Sequence, residues 1–260
     1  FLDNNNNSNS NNNNSNKNMN SNISSNNSGK IKRIVNKSSN NNFSGNNTSP
    51  YDEIKIYIYN GNIKAFIEIL ENNKNYIPNC FMLLTEEKSP NIKFIGNFLN
   101  FIFTIIALNT SLCKEIGQNM EILISQLIKC FLQQLDNSSM TDIIKEILIL
   151  LPQRTNSDKY YKIISKYLNL KNNEILLENL LICIKNNISN EKAENLENKL
   201  PLFIQSIFNM LNHEMSEIRK HAVYCIIEIY KIIGNKFDIY IELLPKNQQN
   251  LIYNFIKKEG

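Results

Sequence analysis

From Ser49 onward, apolar residues recur three and four apart, the spacing that lines one face of an α-helix. Strand-like alternation is confined to the short run Ile54-Lys55-Ile56-Tyr57-Ile58-Tyr59. The clearest helix opens at Ser216, read as its N-cap because a hydroxyl there can accept a bond from a first-turn N–H. Its polar residues fall in one narrow stripe: Glu217, Lys220/His221, Tyr224, Glu228 and Lys231. Everything between them, from Ile218 to Ile233, is largely apolar, so this helix must be covered on several sides by other helices. Gly234 is read as its left-handed stop.

The same pattern repeats along the chain. Ser49-Pro50, with Asp52 and Glu53 behind it, predicts a helix over 51–59, and Asn60-Gly61 predicts a turn into a second helix over 62–73. Further first helices start near Ile77, Asn119, Ser157, Leu196 and Phe237, and second helices near Pro90, Ser139, Asn172, Ser216 and Lys246. Two helices per period of about 40 residues is the HEAT-repeat signature. An Ile-basic opening echoes at Ile92-Lys93, Ile144-Lys145 and Ile218-Arg219, and prolines sit at expected boundaries. A single pair cannot bury both of its apolar faces, so neighbours must stack. The expectation is an all-α solenoid of about six helix pairs over residues 50–260.

Composition divides the chain at the same point. Residues 1–49 are almost all Asn and Ser and cannot bury enough apolar surface to offset their ordering entropy, so a disordered linker is expected there. The tail carries the entire basic excess, Lys17, Lys30, Lys32, Arg33 and Lys37 against Asp3, while residues 50–260 balance 23 basic against 23 acidic side chains. A neutral fold argues against nucleic acid as its ligand, since phosphate binding needs a concentrated basic face. The cluster Lys30-Ile31-Lys32-Arg33 reads either as a contact for an acidic surface or as solvated linker. The chain opens on Phe1, which suggests the C-terminal piece of a longer protein. Phe94 to Leu108 is the most apolar window, too short and too polar to span a bilayer.

Chemistry-bearing residues are scattered. Cys80, Cys113, Cys130, Cys183 and Cys225 are odd in number and set in apolar runs, which fits buried thiols in a reducing compartment. His213 and His221 lack partners at metal-ligand spacing, the glycines never cluster into a phosphate loop, and Glu86-Glu87 falls in a wet turn. Neither an enzyme nor a cofactor site is expected.

The closing stretch carries a resemblance. Ser216-Glu217-Ile218-Arg219-Lys220-His221-Ala222-Val223-Tyr224-Cys225, then Ile229-Tyr230, Ile233-Gly234, Leu243-Leu244 and Leu251-Ile252-Tyr253-Asn254-Phe255-Ile256-Lys257-Lys258, resembles the last HEAT repeats of the CLASP family, the cytoplasmic-linker-associated proteins. Upstream of these fifty or so residues the likeness is architectural. It implies a TOG-like array in a microtubule-associated adaptor of the cytoplasm and spindle. The implied partners are plus-end or kinetochore proteins, or tubulin itself, met by the turns within each repeat. Basic residues at or just after those turns are Lys88, Lys171, Arg219, Lys220 and Lys246, with Ser216 opening the most specific helix. Arg219 has two readings, a partner contact or a brace between repeats. TOG domains that grip tubulin commonly carry an aromatic in the first turn, whereas this chain has no Trp and places Glu86-Glu87 there. That favours protein partners over tubulin. The other reading is a general HEAT scaffold for transport or a regulatory complex, unrelated to microtubules.

Because every helix-period residue lies after Ser49, residues 50–260 are expected to fold without the tail. A truncated chain melting within a few degrees of the whole would bear this out, and a larger fall would count against it.

Overall fold

The computed structural model describes residues 49–85, 91–170 and 173–259, and among these there is helix and no strand. In chain order the helices are α1 (Pro50–Asn60), α2 (Ile63–Asn72), α3 (Ile77–Met82), α4 (Ile92–Ala107), α5 (Cys113–Gln118), α6 (Met120–Gln133) and α7 (Ser138–Arg154). They continue as α8 (Ser157–Asn169), α9 (Glu174–Ser189), α10 (Ala193–Lys199), α11 (Ile204–Met210), α12 (Ser216–Ile233), α13 (Asp238–Ile241) and α14 (Lys246–Glu259). The Asn/Ser-rich segment 1–48 lies outside the described residues.

The helix starts follow from the chain's asparagine content. Asn62, Asn91, Asn137, Asn156 and Asn173 each sit just before a helix, where the side chain accepts a first-turn N–H at 2.8–3.3 Å. Asn is among the best N-cap residues because its short amide reaches those unpaired donors. Ser49 does the same for α1, with Pro50 at the first helical position as expected. Gly61 ends α1 at φ 69°, ψ 23°, a left-handed cap. Gly234 also has positive φ (61°), but its ψ of −143° takes it out of the left-handed helical region expected for it and into one open essentially to glycine.

The helices stack in two layers. One is formed by the second helix of each repeat: α4 packs on α7, α7 on α9, α9 on α12 and α12 on α14, with α1 in front on α4. The other contains α2–α3, α5–α6, α8, α10–α11 and α13. Two of its members are split by a 3-10 turn, Lys74–Tyr76 and Leu200–Leu202, with Pro78 or Pro201 at the break. Proline has no N–H to continue a helical ladder. α1 and α2 form the antiparallel hairpin that begins the array.

Stacking is parallel and in register. Cys225 Sγ donates to Leu181 O, His221 faces Glu178, Ser165 Oγ donates to Leu202 O and Lys236 meets Glu197. Side-chain links between neighbouring repeats join residues 36 to 45 apart, which is the period read from the sequence. α12 behaves as its pattern predicts. Ile218, Ala222, Val223, Cys225, Ile226, Ile227, Ile229 and Ile233 are buried, while Glu217, Lys220 and Lys231 are exposed.

Three sequence expectations need correction. Pro152 is not at a boundary but inside α7, and it is buried. Ser216 is the first helical residue, with Met215 in the cap position. Ile92 begins α4 and is 63% exposed, whereas Ile144 lies mid-helix and buried, so the Ile-basic echo does not mark one structural position.

Pro152 explains a buried asparagine in the next repeat. Its missing N–H would have bonded Leu148 O four residues back. Asn187, 2% exposed, donates its Nδ2 to that carbonyl at 3.3 Å and to Tyr160 Oη at 3.1 Å. Asn187→Leu should therefore destabilise by about 1–3 kcal/mol, the cost of leaving a buried carbonyl unpaired. Restoring the helical donor with Pro152→Ala should shrink that cost in a double-mutant cycle followed by urea unfolding. Additive costs would contradict the coupling.

Candidate functional site

In a parallel two-layer stack, all turns from a first-layer to a second-layer helix lie on one edge. The described parts of these turns are 83–85 and 91, 134–137, 170 and 173, 211–215 and 242–245. Ser216, Arg219, Lys220 and Lys246 are exposed on this edge. Lys88 and Lys171, the other two expected there, lie outside the described residues.

The cations do different jobs. Arg219 turns its guanidinium back on the preceding turn, Nη1 donating to His213 O at 2.8 Å and Glu214 O at 2.6 Å. His213 Nδ1 accepts the Met215 N–H in the same turn. Arg219 thus braces its own turn, not the neighbouring repeat. Lys220 pairs with Glu217 at 3.1 Å, both well exposed, and the carboxylate raises the lysine's pKa by hydrogen bonding and charge. Lys246 donates to Gln249 Oε1 at 3.1 Å.

The edge also carries aliphatic side chains that attention to its charges passed over. Ile92, Leu135, Leu170, Met215 and Leu243 are exposed, one at each successive turn. Their signal was present in the sequence: a large apolar residue in or beside each of these turns, where a solvated loop has no need of one.

Elsewhere the polar groups are engaged structurally. On the opposite edge Lys199 and Glu191 form a half-buried ion pair at 2.6 Å. All five cysteines are buried and unbridged. Burial pushes the thiols of Cys80, Cys183 and Cys225 up to about 12 and that of Cys130 up to about 11, far from the thiolate a nucleophile or metal ligand requires. No group of three or more His, Cys, Asp or Glu comes together among the described residues, and no described helix is long and apolar enough to cross a membrane.

This arrangement, repeated helix pairs in two layers with their intra-repeat turns on one edge, is that of a TOG-type helical-repeat array. A solved structure of TOG domain arrays from microtubule polymerases, concerned with tubulin recruitment and assembly, superposes with a TM-score of 0.60 at 16% identity. It covers 82% of this chain and 44% of its own. The MAST/Orbit N-terminal domain gives a TM-score of 0.49 at 13% identity, over 80% of this chain and 96% of that one. The CLASP resemblance also has a counterpart in sequence. A CLIP-associated protein of Arabidopsis thaliana is 27% identical over 70 residues, 27% of this chain and 5% of that protein. The chain thus spans only a small part of that relative. No protein-family model matches. The chain has the fold of TOG domain arrays, and a stretch of it is similar in sequence to a CLIP-associated protein.

The brace and the exposed pair separate by mutation. Arg219→Ala, which frees two turn carbonyls, should cost roughly 1 kcal/mol of stability. Lys220→Ala, which removes only an exposed pair, should leave stability nearly unchanged. Equal losses in thermal melts would contradict the different roles.

Proposed function

We propose that the chain is a microtubule-associated adaptor module that docks protein partners, tubulin or plus-end and kinetochore proteins, through its intra-repeat turn edge. The observation that supports this best is the composition of that edge, an exposed aliphatic at each turn with exposed Lys220 and Lys246 beside the last two, on a fold shared with TOG arrays. Aliphatic side chains supply contact area. Cations steer an acidic surface into place and fall in effect as salt screens them. Lys88, Lys171, Ser216, Lys220 and Lys246 act as partner contacts in this reading, and Arg219 holds the turn before α12 in shape. Residues 50–260 form the docking unit and the Asn/Ser-rich tail tethers it, placing the module on the cytoskeleton.

Changing Lys88, Lys171 and Lys220 together to Glu should leave helicity and melting temperature unchanged, because exposed charges contribute little to stability. The same change should weaken binding to tubulin, a strongly acidic surface, by roughly tenfold or more at low salt. Unchanged tubulin binding by the folded triple variant would remove the edge from the account. A wild-type chain that ignores tubulin but captures a non-cytoskeletal complex would favour the general HEAT scaffold instead.

A further inference from the structure

The last repeat is closed less tightly than the others. Of α14, only Ile252 is fully buried, while Leu251 is 47% exposed and Phe255 is half-buried. The other side of α12 is sealed by α9. Between α12 and α14 this leaves a trough of about 400 Å³. Its floor is apolar: Leu211, Val223, Ile252 and Phe255. Leu251 and the Tyr224 ring form its walls.

We propose that this trough seats the apolar face of an acidic amphipathic helix from a partner protein. The first argument is shape. Gln248, Leu251/Ile252 and Phe255 mark successive turns of α14, opposite Arg219/Lys220 and Val223/Tyr224 on α12. The trough is therefore roughly two helical turns long, about 10 Å, which suits apolar anchors spaced i and i+4 on an inserted helix.

The second argument is charge. Lys220 lines the trough, with the Arg219 guanidinium beside it held by its own turn, and none of the lining residues is a carboxylate. Lys258, exposed, continues the same face of α14 one turn beyond Phe255. Glu217, which holds Lys220, does so as an exposed pair, and such pairs exchange partners at little cost. Gln248 adds an acceptor: its Nε2 donates to Asn212 Oδ1 at 2.8 Å, and its buried Oε1 has no partner among the described residues. An incoming helix whose apolar stripe is flanked by Asp or Glu pairs with Lys220 and Lys258, and a hydroxyl or amide N–H on that helix supplies the donor that Gln248 Oε1 lacks. The chain's own tail does not, because its net charge of +4 is repelled by this rim. The trough is built by α12, α14 and Leu211 at the end of α11, and it stands whichever protein meets the turn edge.

The test uses the whole chain and a fluorescent helical peptide with Leu at i, i+4 and i+7 and Glu beside them. Two control peptides replace Glu by Lys or Leu by Ser. The Leu/Glu peptide should bind, and both controls should fail. Leu251→Asp, at an exposed position, should weaken binding by roughly tenfold with the helical circular dichroism unchanged. Joint Lys220→Glu and Lys258→Glu should do the same through charge. Equal binding of the Leu/Lys peptide, indifference to Leu251→Asp, or no binding at millimolar peptide would overturn the proposal. So would binding to phosphatidylserine vesicles in place of the peptide, or self-association through α14 seen by sedimentation.

Discussion

The structure depends on the parallel seating of each second-layer helix against the next. α7, α9 and α12 lie side by side so that a residue meets its counterpart about one repeat on, Lys145 with Cys183 and Leu181 with Cys225. Apolar burial along these contacts drives the stacking, because no single pair can cover its own two faces. The polar links set its register. A slip of one helical turn would separate Asn187 from the carbonyl that Pro152 leaves unpaired, and His221 from Glu178. Register in turn decides where the turns go. With every second-layer helix in step, five turns fall in line on one edge.

The two edges then differ by what the chain places there. One exposes an aliphatic residue at every turn, with lysines nearby. The other also exposes Leu108 but ties its lysines into the fold, Lys199 to Glu191 and Lys159 to the carbonyls of Gly117 and Gln118. Charges consumed by the fold cannot also meet a partner. Arg219 shows the distinction on a single turn, since it holds two carbonyls of its own loop while Lys220 beside it pairs with an exposed glutamate.

Much of this was legible in the residues, where the signal is local. The helical period, the Ser49-Pro50 start and the face of α12 are set by side chains a few positions apart, and each appears where the pattern placed it. The 40-residue period was legible because every repeat solves the same packing problem. Other features depend on distant partners. Pro152 reads as a boundary until Asn187, a repeat away, is seen to replace its missing bond. The splits between α2 and α3 and between α10 and α11 are easily mistaken for separate helices, because a 3-10 turn and a proline interrupt the period without changing layer. At the candidate site, the exposure of Ser216, Lys220 and Lys246 follows from sequence position, but the direction of the Arg219 guanidinium does not. Nor does spacing alone show that α14 leaves a trough beside α12.

The central claim is that register presents one edge to partners and keeps the other for the fold. Hydrogen exchange of the whole chain, measured by mass spectrometry with and without tubulin dimers, tests it most directly. The account predicts slowed exchange at 134–137, 211–215 and 242–245, with no change at 108–112, 155–156 and 190–192. Protection on that second set of turns, or none on the first, would contradict it.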